Sequence, residues 1–323
     1  MAVIGNGPPG DEWDMVRPPT DFLYARGMEF RENADTKPFL TLKIGDLVSL
    51  LVIVRSLAHL EELGRRLIAS GASFVVLGGG SNLAFGDEPT RAMVLVNRTS
   101  GIRMGSGGEI VAASGVRLAS LLAWCQERLL GGLEFLAGIP GTVGGAAVVN
   151  AGAFDRSLGE NVTGADILDS SGRVRSVTPE YFGFAYRSSR LKYGGDIVLR
   201  VRLACTPDTR EAIAEKIGKN IQYRNTNHPA YRLHSAGCFF QNPTVVGGRV
   251  SAGKIIEECG FKGRRFGGIE VSAVHANFFL NRGNARFAEL EEAERTIVET
   301  VRSRKGITLQ REIVYISPSG EKF

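Results

Sequence analysis

Apolar residues recur at helical spacing in two segments of the first half of the chain. In residues 56–72 the leucines return every three or four positions, which predicts one apolar helix face, and Gly71 is a natural stop signal. Residues 116–132 repeat this pattern, with three leucines and Cys125 on one side. Three further helices are predicted in the second half of the chain, at 209–224, 251–260 and 284–306.

Short apolar runs and alternating patterns predict strands between these helices. Residues 37–56 indicate one or two strands with a turn or bulge at Gly45–Asp46, and residues 162–178 indicate a hairpin that turns at Ser171–Gly172. Further strands are predicted within residues 73–77, 83–97, 107–115, 184–205, 269–272, 275–281 and 307–317. Strands and helices do not alternate regularly, so the pattern predicts an α+β fold with mixed strands. The pattern of predicted elements changes near residue 205, where we place the domain boundary.

Length and composition describe a soluble globular protein with two domains of ordinary size, or with one domain and a large insertion. The 323 residues are 43% apolar, and the apolar run at 47–54 is too short to span a membrane. The Gly/Pro-rich, acidic N-terminus does not fit a secretory signal. Four cysteines without CxxC spacing indicate reduced thiols in a cytosol. A net charge of +5 favours anionic ligands, but the scattered basic residues do not indicate nucleic-acid binding.

Two glycine-rich stretches are the strongest candidates for a ligand site. The first glycine loop, GGGSN at 78–82, follows a predicted strand, where bare backbone N–H groups can approach a pyrophosphate. Gly and Pro in the LAFGDEPTR that follows exclude the helix that a Rossmann motif requires. The second glycine loop, GIPGTVGGAAVVNAGA at 138–153, lets backbone lie flat against a large planar or phosphorylated ligand. Either loop alone could be a turn between packed elements, but the two together favour a dinucleotide cradle.

One cysteine stands in unusual surroundings. Cys238 lies in HSAGCFFQNP, residues 234–243, between a small Ser-Ala-Gly run and two phenylalanines. A thiol among phenylalanines is usually a small core residue. From these residues alone, packing, a redox role and proton transfer all stay open.

In combination, several segments resemble the UDP-N-acetylenolpyruvoylglucosamine reductase family over residues 28–317. They occur in the family's order: LGGGSN, LEFLAGIPGTVGGAAVVNAGA, AYRSSRLK, RNTNHP, SAGCFFQNP, AGKIIEECGFKG and ITLQREIVYIS. GGGSN alone is not specific, whereas the combination is. The compact stretch after YRSSRLK resembles the shorter of the family's two types, which lacks an inserted substrate-covering segment.

The resemblance implies an α+β fold with an FAD-binding domain of the vanillyl-alcohol-oxidase (PCMH) type and a smaller α+β substrate-binding domain. The expected organisation is a flexible lead-in at 1–25, an FAD-binding domain at 26–204 with subdomains at about 26–75 and 76–204, a substrate-binding domain at 205–306, and a C-terminal strand at 307–323. That strand carries Glu312 and is expected to return towards the FAD-binding domain. A cytoplasmic monomer without nucleic-acid partner or membrane insertion is expected.

The activity implied by the resemblance is reduction of UDP-N-acetylglucosamine-enolpyruvate to UDP-N-acetylmuramate, a step of peptidoglycan precursor synthesis. Bound FAD receives a hydride from NADPH, the reduced flavin gives a hydride to C3 of the enolpyruvyl group, and C2 receives a proton. Arg187 and Glu312 match the positions that stabilise the resulting enolate, and Glu312 is expected to be neutral there. Cys238 matches the proton-donor position, which is usually serine in the family.

Further contacts follow from the same resemblance, and no metal is expected. The expected FAD contacts all lie in the two glycine loops: Gly78, Gly79, Gly80, Ser81, Asn82, Ile139, Pro140, Gly141, Thr142, Gly144, Gly145, Asn150, Ala151 and Gly152. The expected substrate contacts are Tyr186, Arg187, Asn242, Lys254 and His275. Arg224 and Pro229 match the sequence pattern of the family but could be purely structural. Glu134 is expected to tie down the second glycine loop.

Two other hypotheses remain open. A different flavin oxidoreductase with the same FAD fold would share the glycine loops, although SAGCFFQNP and AGKIIEECG match the family's substrate domain. A catalytically idle binder of flavin or nucleotide sugar would lack the chemical positions, whereas Arg187, Cys238 and Glu312 are all present.

Overall fold

The computed structural model describes residues 4–5, 20–192 and 194–322 of the chain. Helices and strands are numbered separately in chain order. Up to residue 131 they are β1 (Ile4–Gly5), α1 (Thr20–Ala25), β2 (Glu29–Asp35), β3 (Leu47–Val54), α2 (Leu57–Ser70), β4 (Phe74–Leu77), β5 (Leu83–Phe85), β6 (Met93–Asn97), β7 (Ile102–Met104), β8 (Ile110–Ala113), α3 (Leu118–Glu127) and β9 (Leu130–Gly131).

The middle of the chain contributes α4 (Val143–Val149), β10 (Gly152–Ala153), β11 (Arg156–Ser157), β12 (Val162–Leu168), β13 (Val174–Val177), β14 (Ile197–Leu203), β15 (Thr206–Pro207) and α5 (Arg210–Asn227). The rest contributes β16 (Thr244–Val245), β17 (Gly248–Arg249), α6 (Ala252–Glu258), β18 (Arg265–Phe266), β19 (Ile269–Val271), β20 (Phe279–Asn281), α7 (Phe287–Lys305) and β21 (Val314–Ile316).

The first sheet has five strands in the order β1-β4-β6-β3-β2. Its central strands β4, β6 and β3 are parallel, and β1 and β2 are antiparallel edges. The central strands are mostly apolar, as expected for a sheet that is covered on both faces. Leu60, Leu63 and Leu67 of α2 pack on one face, and a second sheet covers the other.

The second sheet is antiparallel, with five strands in the order β13-β12-β14-β8-β7. The β12–β13 hairpin turns at Gly172, whose φ of 76° belongs to the left-handed region. The inward-facing residues of the second sheet, such as Ala165 and Val201, share one buried core with Leu51 and Val94 of the first sheet. Apolar residues of α3 and α4 belong to the same core. This core lies directly behind the second glycine loop.

A three-stranded antiparallel sheet, β18-β19-β20, packs with α6 and α7 in the C-terminal part. The two phenylalanines beside Cys238 belong to this core. Phe239 stacks on Phe279 with ring centroids 4.0 Å apart, and Phe240 meets Phe279 edge-on. The cysteine is therefore held by a rigid aromatic cluster on one side.

Three contacts tie the C-terminal part to the first sheet region. Strand β21 pairs with β5 in parallel. Asn281 Nδ2 donates to the carbonyl of Leu42 at 3.1 Å. The carboxylate of Asp87 accepts the backbone N–H groups of Phe287, at 2.7 Å, and Ala288, at 2.9 Å, at the start of α7.

Most predicted elements are confirmed, including the helices at 56–72 and 116–132 and the hairpin at 162–178. Residues 37–56 hold only one strand, because Lys37–Phe39 form a 3₁₀ helix. The second glycine loop contains a helix, α4, that the sequence did not predict. Most of the predicted lead-in lies outside the described residues, but its last six residues form α1 and bury Leu23, so ordered structure begins before residue 26.

Two further findings concern cysteines and membranes. All four cysteines carry free thiols. Among the described residues, no helix combines the length and the apolar character needed to cross a membrane.

Candidate active site

A cavity of about 510 Å³ lies between the glycine loops and the C-terminal part of the chain. Four parts of the chain build its walls: the first glycine loop, the second glycine loop, the end of α5 with the residues that follow it, and the segment around Cys238. Further lining residues include Tyr186, Arg187 and Glu312. Residues far apart in sequence therefore line one cavity.

The two glycine loops contact each other closely. A Cβ atom on Gly79 would lie 2.7 Å from the Cα atom of Gly141, so only glycine permits this approach. Ser81 Oγ donates to the carbonyl of Pro140 at 2.9 Å, and Asn82 lines the cavity beside them. The loops form one continuous wall, along which a ligand can touch backbone without an intervening side chain.

The second glycine loop is a turn followed by α4. Gly138 and Gly141 have φ angles of 75° and 142°, which L-residues rarely adopt. Thr142 Oγ1 accepts the backbone N–H of Gly145 at 3.4 Å and caps α4. Helix α4 contributes Gly145, Ala146 and Val149 to the cavity lining, so no side chain of this helix larger than valine projects from the wall.

Most residues expected to contact FAD line the cavity: Gly79, Ser81, Asn82, Ile139, Pro140, Gly141, Thr142, Gly145, Ala151 and Gly152. The others lie behind the wall. Gly80 has a φ of 64° and packs against the carbonyl of Phe39, and Gly144 packs against Ser114. The side chain of Asn150 bonds to the backbone of Gly159 and Ala185, and buried Gly78 accepts a hydrogen bond from Arg98.

This wall suits FAD by its chemistry. A pyrophosphate needs backbone N–H groups that it can reach without Cβ interference, and a flavin ring needs a flat apolar surface. Glycines, alanines and Ile139 provide both kinds of surface along the same cavity. The residues present therefore fit a flavin dinucleotide.

Arg187 and Glu312 meet at the cavity. Arg187 Nε lies 3.4 Å from Glu312 Oε1, and Arg187 Nη2 donates to the carbonyl of Gly152 at 2.6 Å. Arg187 has a left-handed backbone with φ of 53°, a strained conformation that the surroundings must hold in place. Burial raises the pKa of Glu312 to about 7, against the opposing positive charges of Arg187 and Lys192. A guanidinium thus faces a carboxyl group that retains its proton below pH 7.

The thiol of Cys238 faces the same pair. Burial, with the negative charge of Glu312, raises the pKa of Cys238 to about 12. The positive charges of Arg187 and Arg224 and a hydrogen bond with Asn277 act in the opposite direction. The thiol consequently keeps its proton at neutral pH, which is the state that a proton donor needs.

Besides Arg187, two expected substrate contacts line the cavity, Tyr186 and Asn242. The guanidinium of Arg249 lies 3.6 Å from the ring centroid of Tyr186, and the backbone of Asn242 hydrogen-bonds the hydroxyl of Tyr186. Asn242 Oδ1 accepts the backbone N–H of Ala252 at 2.9 Å. Both side chains are therefore held in fixed positions next to Arg187.

The structure does not bring the other two expected substrate contacts to the cavity. Lys254 is exposed in the first turn of α6. The ring of His275 packs edge-on to His228, with centroids 5.5 Å apart, and edge-on to Phe278. His275 is thus a packed ring behind the wall.

The end of α5 supplies lining residues whose role the sequence left open or missed. Arg224 lines the cavity, and its Nε donates to the carbonyl of Ala137 at 2.8 Å. His228 and Tyr231 line it as well. Burial and the nearby charge of Arg224 lower the pKa of His228 to about 4, so this ring is neutral. The motif RNTNHP contained Arg224 and His228 but not Tyr231, and nothing in the local sequence distinguished residues that line a cavity from residues of a structural turn.

Comparison with known proteins agrees with this arrangement. Residues 48–178 match the model of an FAD binding domain, and residues 228–316 match the model of the UDP-N-acetylenolpyruvoylglucosamine reductase C-terminal domain. These matches confirm the predicted α+β fold class with its FAD-binding domain.

Similar proteins cover most of the chain. UDP-N-acetylenolpyruvoylglucosamine reductase of Heliobacterium modesticaldum is 36% identical over 87% of this chain and 88% of its own length. The enzyme of Moorella thermoacetica is 38% identical over 84% and 88%. The crystal structure of the reductase from Thermus caldophilus superposes with a TM-score of 0.74 at 31% identity, covering 89% of this chain and 98% of that one. The chain belongs to the UDP-N-acetylenolpyruvoylglucosamine reductase family.

Proposed function

We propose that this protein reduces UDP-N-acetylglucosamine-enolpyruvate to UDP-N-acetylmuramate, with FAD as bound cofactor and NADPH as reductant, in peptidoglycan precursor synthesis. Family membership supports the reaction, and the match to an FAD binding domain supports the cofactor. The observation that carries the proposal is the convergence of Arg187, Cys238 and Glu312 on one cavity walled by glycine backbone. The same convergence argues against an idle binding protein.

The two glycine loops are the proposed FAD site. Gly79, Gly141 and Gly145 allow backbone contact with the cofactor, and Ser81 fixes one loop against the other. When bound, FAD supplies the hydride transfer that links NADPH to C3 of the substrate. Side chains of the protein stabilise the enolate and donate the proton.

Arg187 and Glu312 are the proposed enolate-stabilising residues. Hydride addition at C3 places negative charge on the substrate carboxylate, and a guanidinium can bind that carboxylate through two donors. A charged Glu312 would repel the enolate. Its pKa of about 7 lets the neutral carboxyl group donate a hydrogen bond instead.

Cys238 is the proposed proton donor. Its Sγ carries a proton at neutral pH because the pKa of the thiol is raised to about 12. The carbon of an enolate is a stronger base than a thiolate, so transfer from Sγ to C2 is downhill. Positive charge from Arg187 and Arg224 stabilises the thiolate that remains until it is reprotonated.

The proposed division of the chain follows the same chemistry. Residues 26–204 hold the cofactor, residues 205–306 cover the substrate, and residues 307–323 carry Glu312 back to the cavity. The pairing of β21 with β5 supports this return. Helix α5 lies at the junction, since Asn220 and Arg224 bond to carbonyls beside the second glycine loop. Tyr186 and Asn242 are the proposed substrate contacts, and we propose a cytoplasmic monomer.

Anaerobic flavin spectroscopy tests the function. The purified protein should be yellow, and its visible flavin absorbance should bleach with NADPH and return on addition of UDP-N-acetylglucosamine-enolpyruvate. A colourless protein that does not take up FAD would contradict the cofactor. Bleaching without recovery would contradict the substrate and favour another flavin oxidoreductase.

A further inference from the structure

The backbone around Cys238 is hydrogen-bonded on both sides. On one side Cys238 pairs with Phe278 in an isolated antiparallel bridge, and there the N–H of Phe239 donates to the carbonyl of Asn277 at 2.7 Å. On the other side the carbonyl of Phe239 accepts the N–H of Glu312 at 2.8 Å. The residue that follows the thiol therefore ties the proposed proton donor to the backbone of the proposed enolate-stabilising residue.

The side-chain amide of Asn277 makes two more bonds to this segment. Its Oδ1 accepts the N–H of Phe240 at 2.9 Å, and its Nδ2 donates to the carbonyl of the same residue at 2.8 Å. A carboxamide carries an acceptor and a donor side by side, so it holds Phe240 as a neighbouring strand would. Asn277 is only 1% exposed and belongs to the cavity lining. Loss of its amide would leave both backbone groups of Phe240 without these partners.

Asn277 is itself held by groups outside the cavity. Its backbone N–H donates to Nδ1 of His275 at 3.2 Å. The ring of His275 packs against Gly253, where a Cβ atom would lie 2.7 Å from Cε1. Burial lowers the pKa of His275, so the ring is neutral at pH 7, and the bond from Asn277 places its proton on Nε2. His275, which does not line the cavity, thus supports Asn277 from behind.

We propose that Asn277 is a positioning residue for proton transfer: its amide fixes the backbone that follows Cys238, and with it the place of the thiol relative to Glu312 and the carbon that receives the proton. This inference rests on the proposed function and deepens it, because it gives Asn277 a part in the second half of the reaction only. Asn277 exchanges no proton with the substrate and acts through Cys238.

The residue before the thiol shows why the segment needs this hold. Gly237 has a φ of 80°, and a Cβ atom on it would meet no described residue within 4 Å apart from its chain neighbours. Such a glycine allows the backbone wide freedom, so the thiol is fixed mainly from its carboxyl side. Proton transfer requires donor and acceptor within hydrogen-bond reach, and a displacement of about 1 Å can cost about a hundredfold in rate.

Half-reaction kinetics on the flavin-loaded protein test the proposal. The flavin is reduced anaerobically with one equivalent of dithionite and mixed with UDP-N-acetylglucosamine-enolpyruvate, and the return of its visible absorbance is followed. N277A should slow this return about 10- to 100-fold, whereas flavin reduction by NADPH in a separate experiment should stay within about twofold of the wild type. Equal slowing of both half-reactions would overturn the proposal.

N277D is a second variant of nearly the same volume. Its carboxylate can still accept the N–H of Phe240 but cannot donate to the carbonyl of that residue, so it should slow the same step and decides the test if N277A binds no flavin. Loss of flavin binding in both variants would show that Asn277 supports the fold rather than proton transfer, and would overturn the proposal.

A double-mutant cycle with C238A separates positioning from structural damage. If Asn277 acts through the thiol, nothing is left to position once the thiol is gone. The double variant C238A/N277A should therefore reoxidise at the rate of C238A within about twofold. Losses that multiply would mean that Asn277 acts independently of Cys238, and would overturn the proposal.

Asn281 is a matched control at the end of β20. Its side chain is also buried and also bonds to backbone, since Nδ2 donates to the carbonyl of Leu42 at 3.1 Å and Oδ1 accepts the N–H of Gly283 at 2.9 Å. N281A should lower the stability of the fold but leave both half-reactions within about twofold of the wild type. Slowing of reoxidation as large as in N277A would contradict a specific role of Asn277.

The wild type distinguishes failure of this inference from failure of the proposed function. If the enolpyruvyl substrate does not restore the flavin absorbance of the wild type, the proposed reaction is wrong and this inference falls with it. If the absorbance returns equally fast in the wild type, N277A and N277D, the reaction stands and only the role of Asn277 is overturned.

Discussion

Cys238 is the residue on which the proposed chemistry depends most directly. We predict that C238S keeps turnover within about tenfold, because a hydroxyl at the same place can donate a proton. C238A should lose roughly 10²- to 10⁴-fold, the usual contribution of a general acid. Stopped-flow spectroscopy separates the steps: flavin reduction by NADPH should stay unchanged, and only reoxidation by the enolpyruvyl substrate should slow. Reoxidation of C238A at the wild-type rate would exclude Cys238 as the donor.

Glu312 should make stability depend on pH in a defined direction. Burial raises its pKa from 4.5 to about 7, so Glu312 loses its proton at a lower pH in the unfolded chain than in the folded one. The stabilising contribution of the neutral group is complete below pH 4.5 and is lost as the pH rises through 7.

The variant E312Q stays neutral at every pH. The free energy of unfolding of E312Q minus that of the wild type should therefore rise by about 2–3 kcal/mol between pH 4.5 and pH 8, because the wild type loses stability over this range. One pKa unit corresponds to about 1.4 kcal/mol. Urea denaturation at a series of pH values measures this difference. A difference that does not change with pH would mean that the fold does not raise the pKa of Glu312.

At the residue scale, family motifs identified the residues that converge, but not every residue beside them. Arg187, Cys238 and Glu312 were named from sequence, and they line one cavity. Lys254 was expected there from the family resemblance, yet its side chain is exposed. His228 lines the wall only because α5 ends there, and where a helix ends in space is a property of packing that local sequence does not contain.

At the element scale, the contact between the glycine loops is the feature most open to test. We predict that Gly79→Ala loses FAD affinity by at least about tenfold, because its Cβ would lie 2.7 Å from the backbone of Gly141 and push the loops apart. Flavin fluorescence on dilution measures release of the cofactor. Gly218→Ala in α5 is the control, since a Cβ there meets nothing within 4 Å, and it should keep FAD. Equal retention in both variants would contradict the proposed cradle.

Elements with a clear apolar period were predictable, and one without it was not. Helix α2 has leucines on one face and Gly71 at its end, so sequence predicted it nearly residue by residue. Helix α4 reads VGGAAVV, and glycines disfavour a helix by about 1 kcal/mol each. It forms because Thr142 caps it and because Gly144 permits close packing against Ser114. Those contacts come from the tertiary structure, which explains why a loop was the natural expectation.

At the scale of the whole molecule, the ties between the two parts join residues that are distant in sequence. Strands β5 and β21 have three residues each and pair in parallel. Such short apolar strands carry no pattern that specifies a partner, and the same is true of Asn281 bonding to Leu42. Sequence could indicate two parts and a boundary near residue 205, but the surfaces by which they meet required the structure.

Asp87 offers a direct measure of how firmly these parts are joined. Its carboxylate accepts the first backbone N–H groups of α7, from Phe287 and Ala288, across the junction. We predict that D87A lowers the free energy of unfolding by about 1–2 kcal/mol, the range for loss of a helix cap with its favourable charge. The neighbouring exposed Glu88 provides the control variant E88A, which should change it by less than about 0.5 kcal/mol.

The way in which D87A unfolds distinguishes a firm junction from a loose one. If the parts unfold as one cooperative unit, release of FAD and loss of far-UV circular dichroism should shift together in urea. This is the outcome we expect, because α7 packs into the same core as β21, and β21 pairs with β5. A shift of the circular dichroism transition without a shift of FAD release would show that the cap stabilises only the C-terminal part.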